Sequence, residues 1–242
     1  LIPENAPEKL AAHIEASSKD RDALIVFANE SPLINDALAA CKARGVPGIT
    51  MVTDLPDAAR LCHVGIDQYK AGRTAGLMLG SMTAEAGDVV LVSGRADYSA
   101  HRQRIEGFQS VLAERFPQLR LCEILAGQDE RERISRLLEK TLASSQHIVG
   151  LYNTGLGNTQ IHEALARHRL GGKTVYVTHE LYSTTRQLLE KRVLTLTLDQ
   201  NTLRHAQLAL TLLLKHLEEG VQPDTYQPGK VDFMLFTQEN FA

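Results

Sequence analysis

The feature that most constrains this chain is a regular alternation between short apolar runs and amphipathic helical stretches. Ala23–Ala28 (ALIVFA) reads as a buried strand. Ser31-Pro32 then supplies an N-cap and a first-turn proline, and the helix runs to Arg44, where Gly45 stops it. Pro47–Val52 and Cys62–Ile66 are the next strands, and Tyr69 to Ser81 is a helix. Asp88–Val92, Leu119–Leu125, Ile148–Tyr152, Thr174–Thr178 and Leu194–Leu198 are further strands. The helices paired with them are Ser99–Arg115, Asp129–Ser144, Asn158–His168, Ser183–Lys191 and Thr202–Glu218. A β-α unit repeated about seven times specifies an α/β fold with parallel sheets covered by helices on both faces. The strands are nearly continuous apolar runs, as such doubly buried sheets require.

Composition narrows the functional classes. The 242 residues are enough for two lobes or one large domain, and a formal net charge of -3 argues against a segment that grips nucleic acid by itself. Cys41, Cys62 and Cys122 are an odd number without C-x-x-C spacing, which implies neither a disulfide framework nor a zinc site and points to buried thiols in a reducing compartment. No apolar run reaches membrane-spanning length, and no basic segment followed by an apolar one marks a signal peptide.

Ligands of open parallel sheets bind beyond the carboxyl ends of the strands. Those ends are rich in planar polar groups. Thr53-Asp54 follows Val52, and Ser93-Gly94-Arg95 follows Val92, with Arg102 and Arg104 opening the next helix. Gln128-Asp129 follows Leu125 and Gly127, Asn153 follows Tyr152, His179-Glu180 follows Thr178, and Asp199-Gln200 follows Leu198. Carboxylates, amides and guanidinium groups can bridge adjacent hydroxyls, so the set suits a polyhydroxylated ligand in a cleft. Taken singly, any of these residues more simply caps a helix or faces water. Asp129 and Ser183, placed where helices start, are read as caps.

Several stretches together resemble the LacI/GalR transcription regulators and the related periplasmic sugar-binding proteins. His63–Gly80 (HVGIDQYKAGRTAGLMLG) resembles the V-x-x-D-N-x-x-(A/G)-G-x-x-A signature, with Gln68 in place of Asn. Arg102–Phe108 (RQRIEGF) resembles an R-x-R-x-x-G-F helix, and Gly45–Pro56 a G-(I/V)-P-V-(V/I) strand that ends in an aspartate. Tyr152–Leu165 and Val177–Gln200 resemble the later ligand loops. The resemblance implies two doubly wound lobes of the type I periplasmic-binding-protein kind with ligand between them: residues 1–66 plus 201–229, and 67–200 plus 230–242. It implies ligand contacts by Asp54, Arg104, Asn153, Glu180 and Gln200, with Arg102 supporting Arg104 or binding too and Gln128 in the site where relatives place an aromatic ring. Glu180 stands where relatives carry Asp, one methylene shorter.

The family pattern is entered at Leu1–Lys9, past its first β-α unit, so the resemblance implies an N-terminally incomplete chain. The expectation is therefore a cytoplasmic effector-binding core. It forms a homodimer, binds a sugar-like effector without a cofactor, and reaches operator DNA only through a domain ahead of this segment. A periplasmic sugar-binding protein of an ABC transporter is the alternative. An enzyme is not expected, because no nucleophile–base pair, metal set or phosphate loop is present. Gly155-x-Gly157 has Gln160 where a dinucleotide fingerprint needs its third glycine, and His179-Glu180 lacks the second histidine of a zinc protease.

Overall fold

The computed structural model describes residues 6–55, 59–145 and 147–241. Leu1–Asn5, at the entry to the family pattern, and Pro56, the last residue of the aspartate-bearing stretch, lie outside them. In chain order the elements are helix α1 (Pro7–Ser17), strand β1 (Leu24–Val26), helix α2 (Pro32–Ala43) and strands β2 (Gly48–Met51) and β3 (Cys62–Val64). Then come α3 (Gln68–Met82), β4 (Gly87–Ser93), α4 (Ser99–Arg115), β5 (Leu119–Ala126) and α5 (Arg131–Ser144). The chain continues through β6 (Ile148–Asn153), α6 (Asn158–Arg167), β7 (Val175–His179), α7 (Ser183–Glu190), β8 (Leu196–Asp199) and α8 (Thr202–Glu219). A 3-10 turn at Gln227–Gly229 and strand β9 (Met234–Phe236) close it. Helix α1, the 3-10 turn and strand β9 are elements that the sequence pattern did not announce. Pro7 starts α1, and a short apolar row, with Ala11 and Ile14 buried, holds it against α2. Strand β9 is three residues long and only partly buried, too short for a period-two pattern to show.

The chain forms two compact units: Leu1–Asp67, Asp97–Ala100 and Asn201–Asp232, and then Gln68–Ala96, His101–Gln200 and Phe233–Ala242. Relative to the lobes implied by resemblance, the first unit gains Asp97–Ala100 and ends at Asp67 and Asp232 rather than at 66 and 229. The added tetrapeptide has specific partners there. The Tyr98 ring stacks on Phe27 at 5.4 Å, Asn29 Nδ2 donates to Asp97 Oδ2 at 2.8 Å, and Ser99 Oγ donates to the Asp54 carbonyl at 2.9 Å.

The first unit carries a parallel sheet in the order β1-β2-β3. Its core joins Ala11, Ile14, Ile34, Leu38 and Cys41 of α1 and α2 to Val26 of β1. Helix α8 lies against β2 and β3. It buries Ala209 and Leu213 but leaves Leu210, Leu214 and Leu217 exposed.

The second unit carries the sheet β5-β4-β6-β7-β8-β9, in which only the β8–β9 pairing is antiparallel. One core cluster joins Val90, Val92 and Leu151 of the sheet to Ile134 and Leu138 of α5, Ile161 of α6 and Leu188 of α7. Helices α3 and α4 approach so closely that a Cβ on Gly72 would lie 2.1 Å from the Arg104 carbonyl oxygen, and one on Gly107 would lie 2.1 Å from the Tyr69 oxygen. These two glycines let the helices touch backbone to backbone. That contact sets the depth at which Arg104 enters the unit.

Candidate ligand-binding site

Arg104 comes from the second turn of α4 and is only 4% exposed. Its Nε donates to Gln68 Oε1 at 2.7 Å and its Nη1 to the Thr154 carbonyl at 2.9 Å. Gln68 Nε2 in turn donates to Gln200 Oε1 at 2.8 Å, and Gln200 Nε2 donates to Glu180 Oε1. Every donor in this chain points from the guanidinium toward the carboxylate. The charges at the two ends thereby fix the orientation of both amides, and aligned hydrogen bonds of this kind polarise one another.

Burial pushes Arg104 below its usual value, while Tyr152 and the Glu180 charge act in the opposite sense. Burial raises Glu180, against the Arg104 charge and the Gln200 hydrogen bond. A desolvated charge demands partners. Among the described residues, Arg104 Nη2 nonetheless gives no hydrogen bond and Glu180 Oε2 takes none. Glu180 has a positive φ of 67°, a region in which a glutamate is strained. The strain is held by three backbone hydrogen bonds: its N–H donates to the Leu198 carbonyl, and its own carbonyl accepts from Thr185 Oγ1 and Thr197 Oγ1.

Two aromatic side chains complete this region. Tyr152 stacks on Phe108 at 4.5 Å, and its hydroxyl meets His179 Nε2 at 2.8 Å. Both rings are buried.

Asn153, Gln128 and Arg102 have other surroundings. Asn153 is fully buried, and its Nδ2 donates to the carbonyls of Gly155 and Leu156 and to Asn158 Oδ1. Asn158 Oδ1 also accepts from Tyr176 and Thr178, so Asn153 anchors the loop that leads into α6. Gln128 is exposed with φ at 54°, and half-buried Arg102 donates to the Ala96 carbonyl at 2.7 Å. Asp129 is not the helix cap its position implied, because α5 starts at Arg131 with Glu130 in the N-cap position. Its carboxylate accepts from the N–H of Arg95 and of Leu156, tying together the loops that follow β4, β5 and β6. Ser183 likewise opens α7 as its first helical residue, behind Tyr182 as N-cap, whose N–H donates to Thr185 Oγ1 at 2.9 Å.

In the first unit, Asp54 is held by a two-pronged ion pair. Arg60 Nε lies 2.6 Å from Oδ1, and Arg60 Nη2 lies 2.7 Å from Oδ2. Thr50 Oγ1 and the Leu55 N–H also donate to Oδ1. Burial raises the carboxyl, but Arg60 and His63 outweigh it and leave the group below its usual value. The Asp54 carboxylate is thus already occupied by a cation of its own loop.

Three comparisons with known proteins bear on this arrangement. Residues 4–220 match the family described as periplasmic binding protein domain.

The chain belongs to that family.

Among curated relatives, the ribose import binding protein RbsB of Haemophilus influenzae is 26% identical over 157 residues, covering 63% of this chain and 52% of that protein. RbsB of Escherichia coli is 25% identical over 114 residues, covering 47% of this chain and 38% of that protein. The chain thus spans about half the length, or less, of the curated relatives it matches. Among solved structures, an ABC transporter solute binding protein of Burkholderia graminis in complex with D-arabinose superposes with a TM-score of 0.91 at 19% identity, over 99% of this chain and 84% of that one. A periplasmic solute binding protein of Actinobacillus succinogenes with bound D-allose gives 0.87 at 21%, over 96% and 84%. These likenesses show the type I periplasmic-binding-protein fold.

Membership in a periplasmic binding protein family overturns the cytoplasmic location expected from the sequence. The inference had leaned on unpaired cysteines. Cys41 and Cys62 are buried, and burial pushes the Cys62 thiol up to about 11, so it behaves as an inert packing group. Such thiols carry no information about compartment. The resemblance is shown at the level of the binding-protein fold and not at the level of a regulator. The family is one of binding proteins, in keeping with a chain that is not an enzyme.

Of the seven side chains singled out in the sequence of this family member, Arg104, Glu180 and Gln200 converge in the second unit. Gln68, Tyr152 and His179 were not assigned as site residues from the sequence. Gln68 had carried a signal, as the departure from Asn in the first motif. Tyr152 was hidden at the end of an apolar strand run, and His179, noted at a strand end, was weighed only against a zinc-protease motif.

Proposed function

We propose that this chain is the sugar-binding component of an ABC importer and works in the periplasm. The observation that carries the reading is the ordered chain Arg104–Gln68–Gln200–Glu180. It holds a buried cation and a half-buried anion apart, each with one terminal atom that the described residues do not use. A sugar hydroxyl both donates and accepts, so neighbouring hydroxyls can take a hydrogen bond from Arg104 Nη2 and give one to Glu180 Oε2. The relatives crystallised with D-arabinose and D-allose, and those named for ribose import, support the same ligand class. Gln200 orients Glu180. Asp54, Arg102, Gln128 and Asn153 complete the proposed contact set, with Asn153 acting through its loop. Asp54 would join only by sharing its carboxylate with Arg60. The partner in this reading is the importer's membrane component. Among the described residues no helix is itself long and apolar enough to cross a membrane.

Binding would favour one arrangement of the two units only by its differential affinity for the alternatives. Isothermal calorimetry against D-ribose, D-arabinose, D-allose and a sugar-acid panel tests the proposal. Saturable binding of at least one is expected, and heats of dilution across the whole panel would refute it.

A second reading rests on the Thr178–Arg186 stretch (THELYSTTR) and the Arg102–Phe108 helix, which resemble regulators. In that reading the same sugar site acts on operator DNA through a separate domain of a homodimer. The coding sequence upstream of Leu1 discriminates the two: a helix-turn-helix favours the regulator, a signal peptide the importer component.

A further inference from the structure

His179 ends β7, one residue before Glu180. Its ring is 4% exposed and lies 5.7 Å from the Tyr152 ring, centroid to centroid. In the parallel register Tyr152 pairs with Val177, so Tyr152 and His179 project from the same face of the sheet. Nε2 meets the Tyr152 hydroxyl at 2.8 Å. Nδ1 is buried and finds no hydrogen-bond partner among the protein atoms described.

We infer that Tyr152 holds His179 in the Nδ1–H form and that this buried N–H is a further ligand donor of the sugar site, aimed at an acceptor oxygen of the bound sugar. The inference rests on the sugar-binding reading above. Burial, followed by the Arg104 charge and His101, holds His179 well below its usual value, so the ring is neutral and carries one proton. The Tyr152 hydroxyl is buried, and among the described residues its one hydrogen-bond partner is His179 Nε2, so its O–H is satisfied only by donating to that nitrogen. An accepting Nε2 places the only ring proton on Nδ1. A buried donor without an acceptor is costly, and such unmet groups recur where a ligand completes the set. His179 lies at the carboxyl end of its strand, where ligands of open parallel sheets bind. Arg104 Nη2 and His179 Nδ1–H would then supply two donors beside the single acceptor Glu180. The site would favour a sugar that offers two acceptor oxygens, such as a ring oxygen and a neighbouring hydroxyl, or a carboxylate.

The test uses the full 242-residue chain, labelled with nitrogen-15, and long-range proton–nitrogen spectra of the imidazoles near neutral pH. The expected result is a His179 ring protonated at Nδ1 whose Nδ1–H resonance moves on addition of whichever of D-ribose, D-arabinose and D-allose binds most tightly. A ring protonated at Nε2 overturns the inference, as does an Nδ1–H that sugar leaves unmoved. His179→Phe keeps the ring shape and should weaken that sugar about tenfold, the worth of roughly one hydrogen bond. The double variant Tyr152→Phe/His179→Phe removes the stranded hydroxyl as well, so a shared loss of affinity with retained thermal melting separates ligand contact from misfolding. Unchanged affinity in both variants would refute the donor role while sugar binding itself stood. Failure of these sugars and of the whole sugar-acid panel to bind the unmodified chain would instead remove the reading beneath it.

Discussion

The two units hold the same charge types in opposite ways. In the first, Asp54 and Arg60 meet directly through two hydrogen bonds, and Thr50 and the Leu55 N–H complete Oδ1. In the second, Arg104 and Glu180 are joined only through two glutamine amides. The direct pair satisfies its own charges and leaves little for a ligand. The spaced pair stabilises each charge through a neutral dipole and leaves an unused atom at each end. Local closure gives a structural clamp on a loop, and separation gives a place where something else can bind.

The contrast is most easily broken at Arg104. Arg104→Ala leaves half-buried Glu180 beside an uncompensated amide chain, and a destabilisation of about 3 kcal/mol is expected in urea unfolding. Any sugar bound by the unmodified chain should weaken by about 100-fold or more. Near-normal calorimetric affinity would show that the spaced pair is not the binding element. Arg60→Ala tests the other side. It should cost about 1–3 kcal/mol, because Asp54 is partly exposed and keeps two donors. Sugar affinity should change far less than in Arg104→Ala, and an equal loss of binding would erase the distinction drawn between the units.

The acid response of the Asp54 pair has a defined sign. Its folded value is depressed, so the stabilisation is present above the unfolded value of 3.8 and is lost as pH falls through the lower folded value. Thermal melts of Arg60→Ala should lose part of that acid dependence, and melts that parallel the unmodified chain would remove Asp54 from the account. Gln68→Leu keeps both charges of the second unit but cuts the amide chain between them. A loss of about 1–3 kcal/mol is expected from the groups left unmet. Sugar affinity should fall with it, and an unchanged affinity would mean that the amides only pack.

The smallest effect is expected at Glu180. Its folded value is raised, so the native state holds the proton more firmly than the unfolded chain, and stability falls as pH rises from 4.5 through the folded value. Glu180→Gln should flatten that fall and raise stability near neutrality by less than about 1 kcal/mol, while weakening sugar binding. A lower melting temperature than the unmodified chain would show that the charge stabilises the apo fold.

The order of strands and helices was legible because apolar periodicity is a local property. The Ser99–Arg115 helix emerges with the bounds read from sequence, and the glycine in its R-x-R-x-x-G-F stretch finds its reason in the contact with α3. Helix α1 was missed because its apolar row is short, and β9 because it is only three residues long. The candidate site was legible as a set of residue types at strand ends, but not as a set of partners. Asp54 and Arg104 look alike in sequence, each a charged group in the segment that follows a strand, yet one is clamped within its own loop and the other is not.

By itself the sequence determined the α/β alternation, the parallel sheets and the crowding of polar groups at their carboxyl ends. Only tertiary structure decided which polar groups neutralise one another. Gln68 and Gln200 lie 132 residues apart, and their hydrogen bond joins α3 to the end of β8. The reason is range: periodicity is set by neighbours along the chain, whereas the partner of a buried charge is set by whatever the completed fold brings within about 3 Å of it.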